Sequence, residues 1–314
     1  MHHTEAAPSP LAKALAAQSQ AQFGDLEHAR GIDASTFSAL ATRAEELIET
    51  LRAKGCADAT TAPIRAHKSV LDAVTALLAD PKAGAIPPSN DRIYGAVLDI
   101  TELGPIVRTL GGSAKGLAAI ERHLTLPGSE GFTPASARAD RLALSFASIC
   151  KKGGLGVTLG DTPGAPFGIE IEGWRAVCVP AVALRDADLD DAITRAAAAL
   201  RDSRRPGVFI LEASPLLAHK PLTVAEDRVA INAMNERLES FMLSVRERVI
   251  ETAARTISTD QAFGLVVHAT MAATNAASRR LLFAECFRAV NLCDAEGPQA
   301  EGFQGIAQAM QRAG

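Results

Sequence analysis

Two apolar runs, RAVCVPAVAL (residues 175–184) and GVFILEAS (207–214), are separated by the segment RDADLDDAITRAAAALRDSRRPG, and that spacing constrains the fold more than any other feature. The intervening segment carries four aspartates near its start and arginines near its end, the distribution that complements a helix dipole. A strand, a helix and a second strand make a crossover, and within one sheet such a crossover is parallel and right-handed. The first run is preceded by LGVTLG (155–160) and FGIEIEGW (167–174), read as a short strand and as the first half of a hairpin turning at Gly-Trp. Earlier still, TPASARADRLALSFASICKKGG has Thr133 to cap a helix, Pro134 for its first turn, Leu142, Phe146 and Ile149 on one face, and Lys151, Lys152 and Gly153 at its end.

The strand-bearing part continues with a long amphipathic helix, VAEDRVAINAMNERLESFMLSVRERVIETAART, with Ile231, Met234, Leu238, Met242, Val245 and Val249 on one face. AFGLVVHATMAA and RRLLFAECFRAVNL follow as two strands, expected to be antiparallel. The order from Pro134 is therefore α, β, β, β, α, β, α, β, β, which predicts an α/β (α+β) domain with a mixed sheet in three layers.

Upstream the apolar period is that of helices alone. STFSALATRAEELIETLRAKG places Phe37, Leu40, Ala44, Leu47 and Leu51 at helical spacing, and HKSVLDAVTALLADP repeats the pattern. RIYGAVLDITELGPIVRTLGG, bent or split by Pro105, and SAKGLAAIERHL are further helices. TLPGSEGFTP (125–134) is a turn cluster. The expected division is a helical domain over 1–128, an α/β domain over 129–295 and a polar, fraying tail over 296–314.

The α–β–β–β–α–β succession resembles the restriction-endonuclease-like, or PD-(D/E)xK, nuclease superfamily over residues 134–213, with 214–293 as a peripheral extension. The resemblance implies an acid on the first helix, for which Asp140 is the match, and a glycine turn into the first strand, as in KKGGLGVTL. It implies an acid near the second strand to bind Mg²⁺, with Asp161, Glu170 and Glu172 as candidates, of which Asp161 and Glu170 are the metal ligands expected in an active enzyme. It also implies an acid-x-lysine triplet on the third strand, and that triplet falls on Val177, Cys178 and Val179. Two acidic oxygens hold a hard cation and a lysine orients the attacking water, and valine does neither. Arg175, the nearby cation, can hold a phosphate but is a poor proton carrier. The resemblance thus implies a nuclease frame with a degenerate motif, unless the site is relocated to Glu212 or Lys220.

Local readings without the resemblance are plainer. Glu170 and Glu172 alternate with isoleucines, the pattern of a hairpin with one polar face. Asp161, in LGDTPGAP, has the setting of a turn residue. TLGGSAKGLAAIE, with Lys115, has the wrong order for a phosphate loop and reads as a helix–helix connection. His268 reads as a structural strand residue. Arg201, Arg204 and Arg205 form the densest cationic cluster and, with Arg175, are the candidates for contacting nucleic acid.

Composition narrows the class. The 314 residues are 47% hydrophobic and 22% charged, with a net charge of −4, so the chain is a folded globular protein without an overall cationic excess. Cys56, Cys150, Cys178, Cys286 and Cys293 are odd in number and set in apolar runs, as for buried thiols. MHHTEAAPSPLAKALAAQSQ lacks the layout of a secretory signal, and a cytoplasmic location is expected. The expected function is that of a degenerate nuclease-fold protein that binds nucleic acid or a protein partner, possible settings being DNA-processing or defence assemblies, and needs no cofactor. The alternatives are an active Mg²⁺-dependent nuclease built from Asp140, Asp161, Glu170 or Glu172 and Glu212, and a structural protein that forms oligomers through helical faces.

Overall fold

All seven strands join one mixed sheet in the computed structural model, which describes residues 35–80, 88–125, 135–160, 168–179, 186–217, 222–257, 261–278, 281–292 and 298–313. Among the described residues the helical part comprises α1 (Ser35–Ala53), α2 (Asp58–Ala79), α3 (Asn90–Leu110) and α4 (Ala114–Thr125). The spacing that predicted α1 is used directly, since Phe37, Leu40, Ala44, Leu47 and Leu51 are all buried. Pro105 lies inside α3 and does not split it. Gly111 and Gly112 lie in the α3–α4 connection, where the Ser113 hydroxyl accepts the Gly116 N–H of the first turn of α4 at 3.2 Å, and Lys115 in that turn is exposed.

The rest runs α5 (Ala135–Lys152), β1 (Val157–Gly160), β2 (Gly168–Ile171), β3 (Trp174–Val179), α6 (Asp186–Ser203) and β4 (Gly207–Glu212). It continues through α7 (Ser214–Leu217), β5 (Leu222–Val224), α8 (Asp227–Ala254), β6 (Phe263–Asn275), β7 (Leu281–Asn291) and α9 (Pro298–Ala313). Strands β1, β2 and β3 are antiparallel neighbours, and the crossover through α6 brings β4 parallel to β3 from Arg175↔Gly207 to Val179↔Leu211. Strand β6 lies parallel to β4 and antiparallel to β7. The three-residue β5, too short to be read from sequence, adds parallel to the far end of β6.

The β2–β3 turn is tighter than the sequence reading had it. Ile171 pairs with Trp174, so Glu172 and Gly173 are the two loop residues, and both have positive φ (48° and 85°). That is the conformation a two-residue hairpin needs to match strand twist, and it takes Glu172 out of the strand.

Alternation along the strands divides the interior in two. Ile169, Ile171, Ala176, Val208, Ile210 and Val266 share one cluster with α1–α5, while Val179, Phe209, Leu211, Leu265 and Val267 pack with α6 and α8. The first cluster is continuous from Phe37 in α1 to the sheet, across residue 128. The amphipathic face of α8 covers its own sheet: Met234, Leu238, Met242, Val245 and Val249 are buried, and Ile231 is left 48% exposed.

The C-terminal segment, expected to fray, is the helix α9. Phe303, Ile306, Met310 and Ala313 form a buried stripe at helical spacing within a Gln- and Gly-rich stretch. It docks where β6 lacks a side chain: a Cβ on Gly264 would lie 2.1 Å from the Phe303 ring. Phe303 also meets the Trp174 ring at a centroid distance of 5.8 Å. Gly264→Val is expected to force the helix off the sheet and to lower the unfolding free energy by about 1–3 kcal/mol. A urea titration followed by tryptophan fluorescence checks this, because Trp174 is the only tryptophan.

Candidate functional site

Helix α3 is apolar over most of its length, yet it carries Asp99 and Glu102 one turn apart, and both are buried. Helix α5 answers with Arg138 and Arg141, also three residues apart. Residues at that spacing share a helix face, so the two pairs meet as a ladder. Arg138 donates to both oxygens of Glu102, at 3.0 and 3.2 Å, and Arg141 meets Asp99. Cross contacts of 3.9 Å (Arg138–Asp99) and 4.0 Å (Arg141–Glu102) close the square. None of the four side chains is more than 5% exposed.

Arg138 reaches further, to the last residue of β4. Its Nε donates to Glu212 Oε2 at 3.3 Å and its Nη2 meets the other oxygen. Glu212 is only 1% exposed and pairs in register with His268 of β6. Just beyond, β4 leaves the sheet, and the Ser214 hydroxyl takes the Thr270 N–H at 3.0 Å. The cluster therefore sits in the notch where β4 ends and β5 has not yet begun, at the carboxyl end of a parallel strand. Binding sites in α/β sheets favour such openings. The Thr270 hydroxyl donates to Glu102 Oε1 at 2.9 Å, and His268 Nε2 lies 3.1 Å from Glu285 Oε1. His268 is fully buried, its ring 4.6 Å from that of Phe287, and its Nδ1 finds no hydrogen-bond partner among the described residues.

Glu102, Glu212 and His268 each bring a potential metal-ligand atom, and these atoms lie within 4.8 Å of one another. One nitrogen and two carboxylates suit a divalent transition metal better than Mg²⁺. Arg138 is bonded to both carboxylates, so its guanidinium supplies the positive charge at this point.

Two further histidines flank the ladder. His123 Nε2 is 3.1 Å from Arg141 Nε, and because a guanidinium only donates, that nitrogen must accept. Burial first, and then the Arg138 charge, lower the His123 pKa to about 4. His67 Nε2 lies 2.7 Å from Asp99 Oδ2, and burial with the nearby Arg141 and Arg92 charges lowers its pKa to about 4, so a neutral ring donates this bond. Burial lowers Arg141 to about 9, which leaves it cationic at neutral pH.

The residues expected from the sequence fall into two groups at opposite ends of the parallel strands. Asp140 and Glu212 are interior: Asp140 is 3.9 Å from Arg122, and its charge adds to burial in raising the pKa of the Cys178 thiol on β3. Glu170 lies instead among the arginines, 2.6 Å from Arg205 and 4.0 Å from Arg175. Glu172 accepts the Gly156 N–H at 2.6 Å and shares no site with Glu170. Arg201 pairs with Asp202 at 2.9 Å, and Arg204, in the turn after α6, is exposed. Asp161, Lys220 and Cys293 lie outside the described residues, and Cys56, Cys150, Cys178 and Cys286 are free thiols. His268, read as structural, is one of the convergent donors. Asp99, Glu102, Arg138 and Arg141 were not singled out, although their matched spacing was visible.

Comparison of the chain with protein-family models, curated proteins and solved structures gives no match.

Two outcomes follow from the burial of this cluster. Arg138→Met leaves Glu102 and Glu212 as uncompensated buried charges and is expected to cost about 3–5 kcal/mol. Adding Glu102→Gln and Glu212→Gln to it should recover much of that loss, and chemical denaturation of the three chains measures both steps. The histidines set an acid dependence. Between pH 6.5 and about 4 the unfolded chain takes up protons on His67 and His123 that the folded chain refuses. Stability is therefore expected to fall as pH drops through that window, by at most about 3 kcal/mol per ring. His123→Gln should remove about half of this slope in urea titrations at pH 7, 6, 5 and 4.5.

Proposed function

We propose that the chain is a three-layer, restriction-endonuclease-like protein that no longer hydrolyses phosphodiesters and acts by binding, with nucleic acid as the favoured partner. Support for the fold comes from the succession α5, β1–β2–β3, α6, β4, with three antiparallel strands and then a parallel fourth. It is strengthened by Asp140 of α5, whose charge is felt at Cys178, the middle of the β3 triplet.

The single observation that carries the loss of catalysis is the state of Asp140 and Glu212, the two candidate acids that lie in the interior. Hydrolysis needs a solvent-reachable cation and an attacking water. Asp140 and Glu212 are 2% and 1% exposed, the first near Arg122 and the second bonded to Arg138. Val177, Cys178 and Val179 contribute packing in place of ligands, with Val179 2% exposed in the α6–α8 core.

Binding is supported by the arginine corner at the amino ends of β3 and β4. Arg175 opposes Gly207 in the sheet, and Arg201, Arg204 and Arg205 come from the end of α6 just before it. Glu170 and Asp202 offset part of this charge, while Arg204 forms no ion pair among the described residues.

Incubation with plasmid and single-stranded DNA in Mg²⁺ or Mn²⁺ is expected to show no cleavage. A gel shift should weaken as salt rises, and Arg201→Ala/Arg204→Ala/Arg205→Ala should flatten that salt dependence, by about 0.9 in logarithmic slope per lost phosphate contact. Cleavage abolished by Asp140→Asn or Glu212→Gln would instead establish an active nuclease. Absence of any shift, in the parent and the triple variant alike, would exclude nucleic acid as the partner.

A further inference from the structure

We propose that Glu102, Glu212 and His268 form a three-ligand site for a first-row divalent transition metal, with Arg138 as a built-in competitor that fills it. The inference rests on the buried cluster and holds whether or not the chain binds nucleic acid.

The first support is convergence. Ligands come from α3, β4 and β6, which are far apart in sequence, yet their donor atoms fall within 4.8 Å of one another. The second is the fully buried His268, which keeps one ring nitrogen without a hydrogen-bond partner among the described residues. A buried imidazole nitrogen ordinarily finds a partner, and a metal is one of the partners it takes. The third is the surrounding shell. Glu285 contacts the other nitrogen of His268, and Thr270 donates to Glu102, arrangements that fix the orientation of metal-binding histidines and carboxylates.

Arg138 gives the buried carboxylates a positive partner of their own. Its guanidinium contacts all four oxygens of Glu102 and Glu212 and so provides the cation that they require. One guanidinium balances two carboxylates incompletely, and a divalent ion would match them in charge. Arg138 and a metal are therefore alternatives at one position. His268 separates the two states, since its Nδ1 can ligate a metal and makes no hydrogen bond among the described residues while Arg138 holds the carboxylates.

The experiment titrates the full chain with MnCl₂, ZnCl₂ and MgCl₂, using calorimetry for all three and the loss of the free-ion paramagnetic resonance signal for Mn²⁺. Wild type is expected to bind weakly, and its melting temperature should not respond to EDTA. Arg138→Met should bind one Mn²⁺ or Zn²⁺ at least on the order of 100-fold more tightly, because it frees both carboxylates and removes a like charge from the site. The same metals should raise its melting temperature, a readout that works on a destabilised chain. Arg138→Lys, which keeps a charge but releases part of the carboxylate bonding, should show a smaller gain. Adding His268→Phe to either variant should abolish the gain, and MgCl₂ should produce little. No gain in either arginine variant, or a gain that survives His268→Phe, would overturn the proposal.

Discussion

The contact of Arg138 with Glu102 and Glu212 ties together three elements that the rest of the structure is arranged around. It joins α3 from the helical part, α5 from the start of the sheet-bearing part, and the end of the central strand β4. Burying charges this deeply gives little net stability relative to apolar packing, but any misalignment leaves a charge unpaired at several kcal/mol. A one-turn slip of α3 along α5 would leave one buried acid and one buried arginine without a partner. Apolar neighbours such as Ile100, Leu103 and Leu142 would tolerate that slip far better, since packing between them is less directional. The ladder thus sets which register the helices adopt, and the hydrophobic cluster holds them there.

Much of the sheet was legible because its strands announce themselves by type and spacing. GVFILE and AFGLVVHATMAA are runs that only buried strands accommodate, and the acid-headed α6 between β3 and β4 dictated a parallel pairing that the register shows. Composition misled at two places. The segment 298–313 looked polar as an average, whereas its stripe of Phe303, Ile306 and Met310 gives it a helical face. Glu172 continued an alternating pattern by eye, but a two-residue turn has no room for it in the strand.

The buried cluster was hidden for a different reason. Neither the acids of α3 nor the arginines near the start of α5 form a motif on their own. Only the pairing of two equal spacings, 99 with 102 and 138 with 141, signals that the charges belong to one another. Glu212 was noticed as a strand-end acid, but its partner lies 74 residues earlier in the chain, and no local pattern connects them. His268 carried no ligand spacing because its companions are brought by tertiary structure alone.

Helix α9 completes a face begun much earlier in the chain. Its Phe303 rests on Trp174 and Gly264, and Arg312 donates to the Gly153 carbonyl at 3.1 Å. During synthesis the strands around Trp174 are made more than a hundred residues before the helix that covers them. Until α9 has been made, an aromatic patch and the glycine-lined hollow beside it stay open to water and to other chains. Docking of α9 is therefore the step that converts a nascent, adhesive sheet into a finished one.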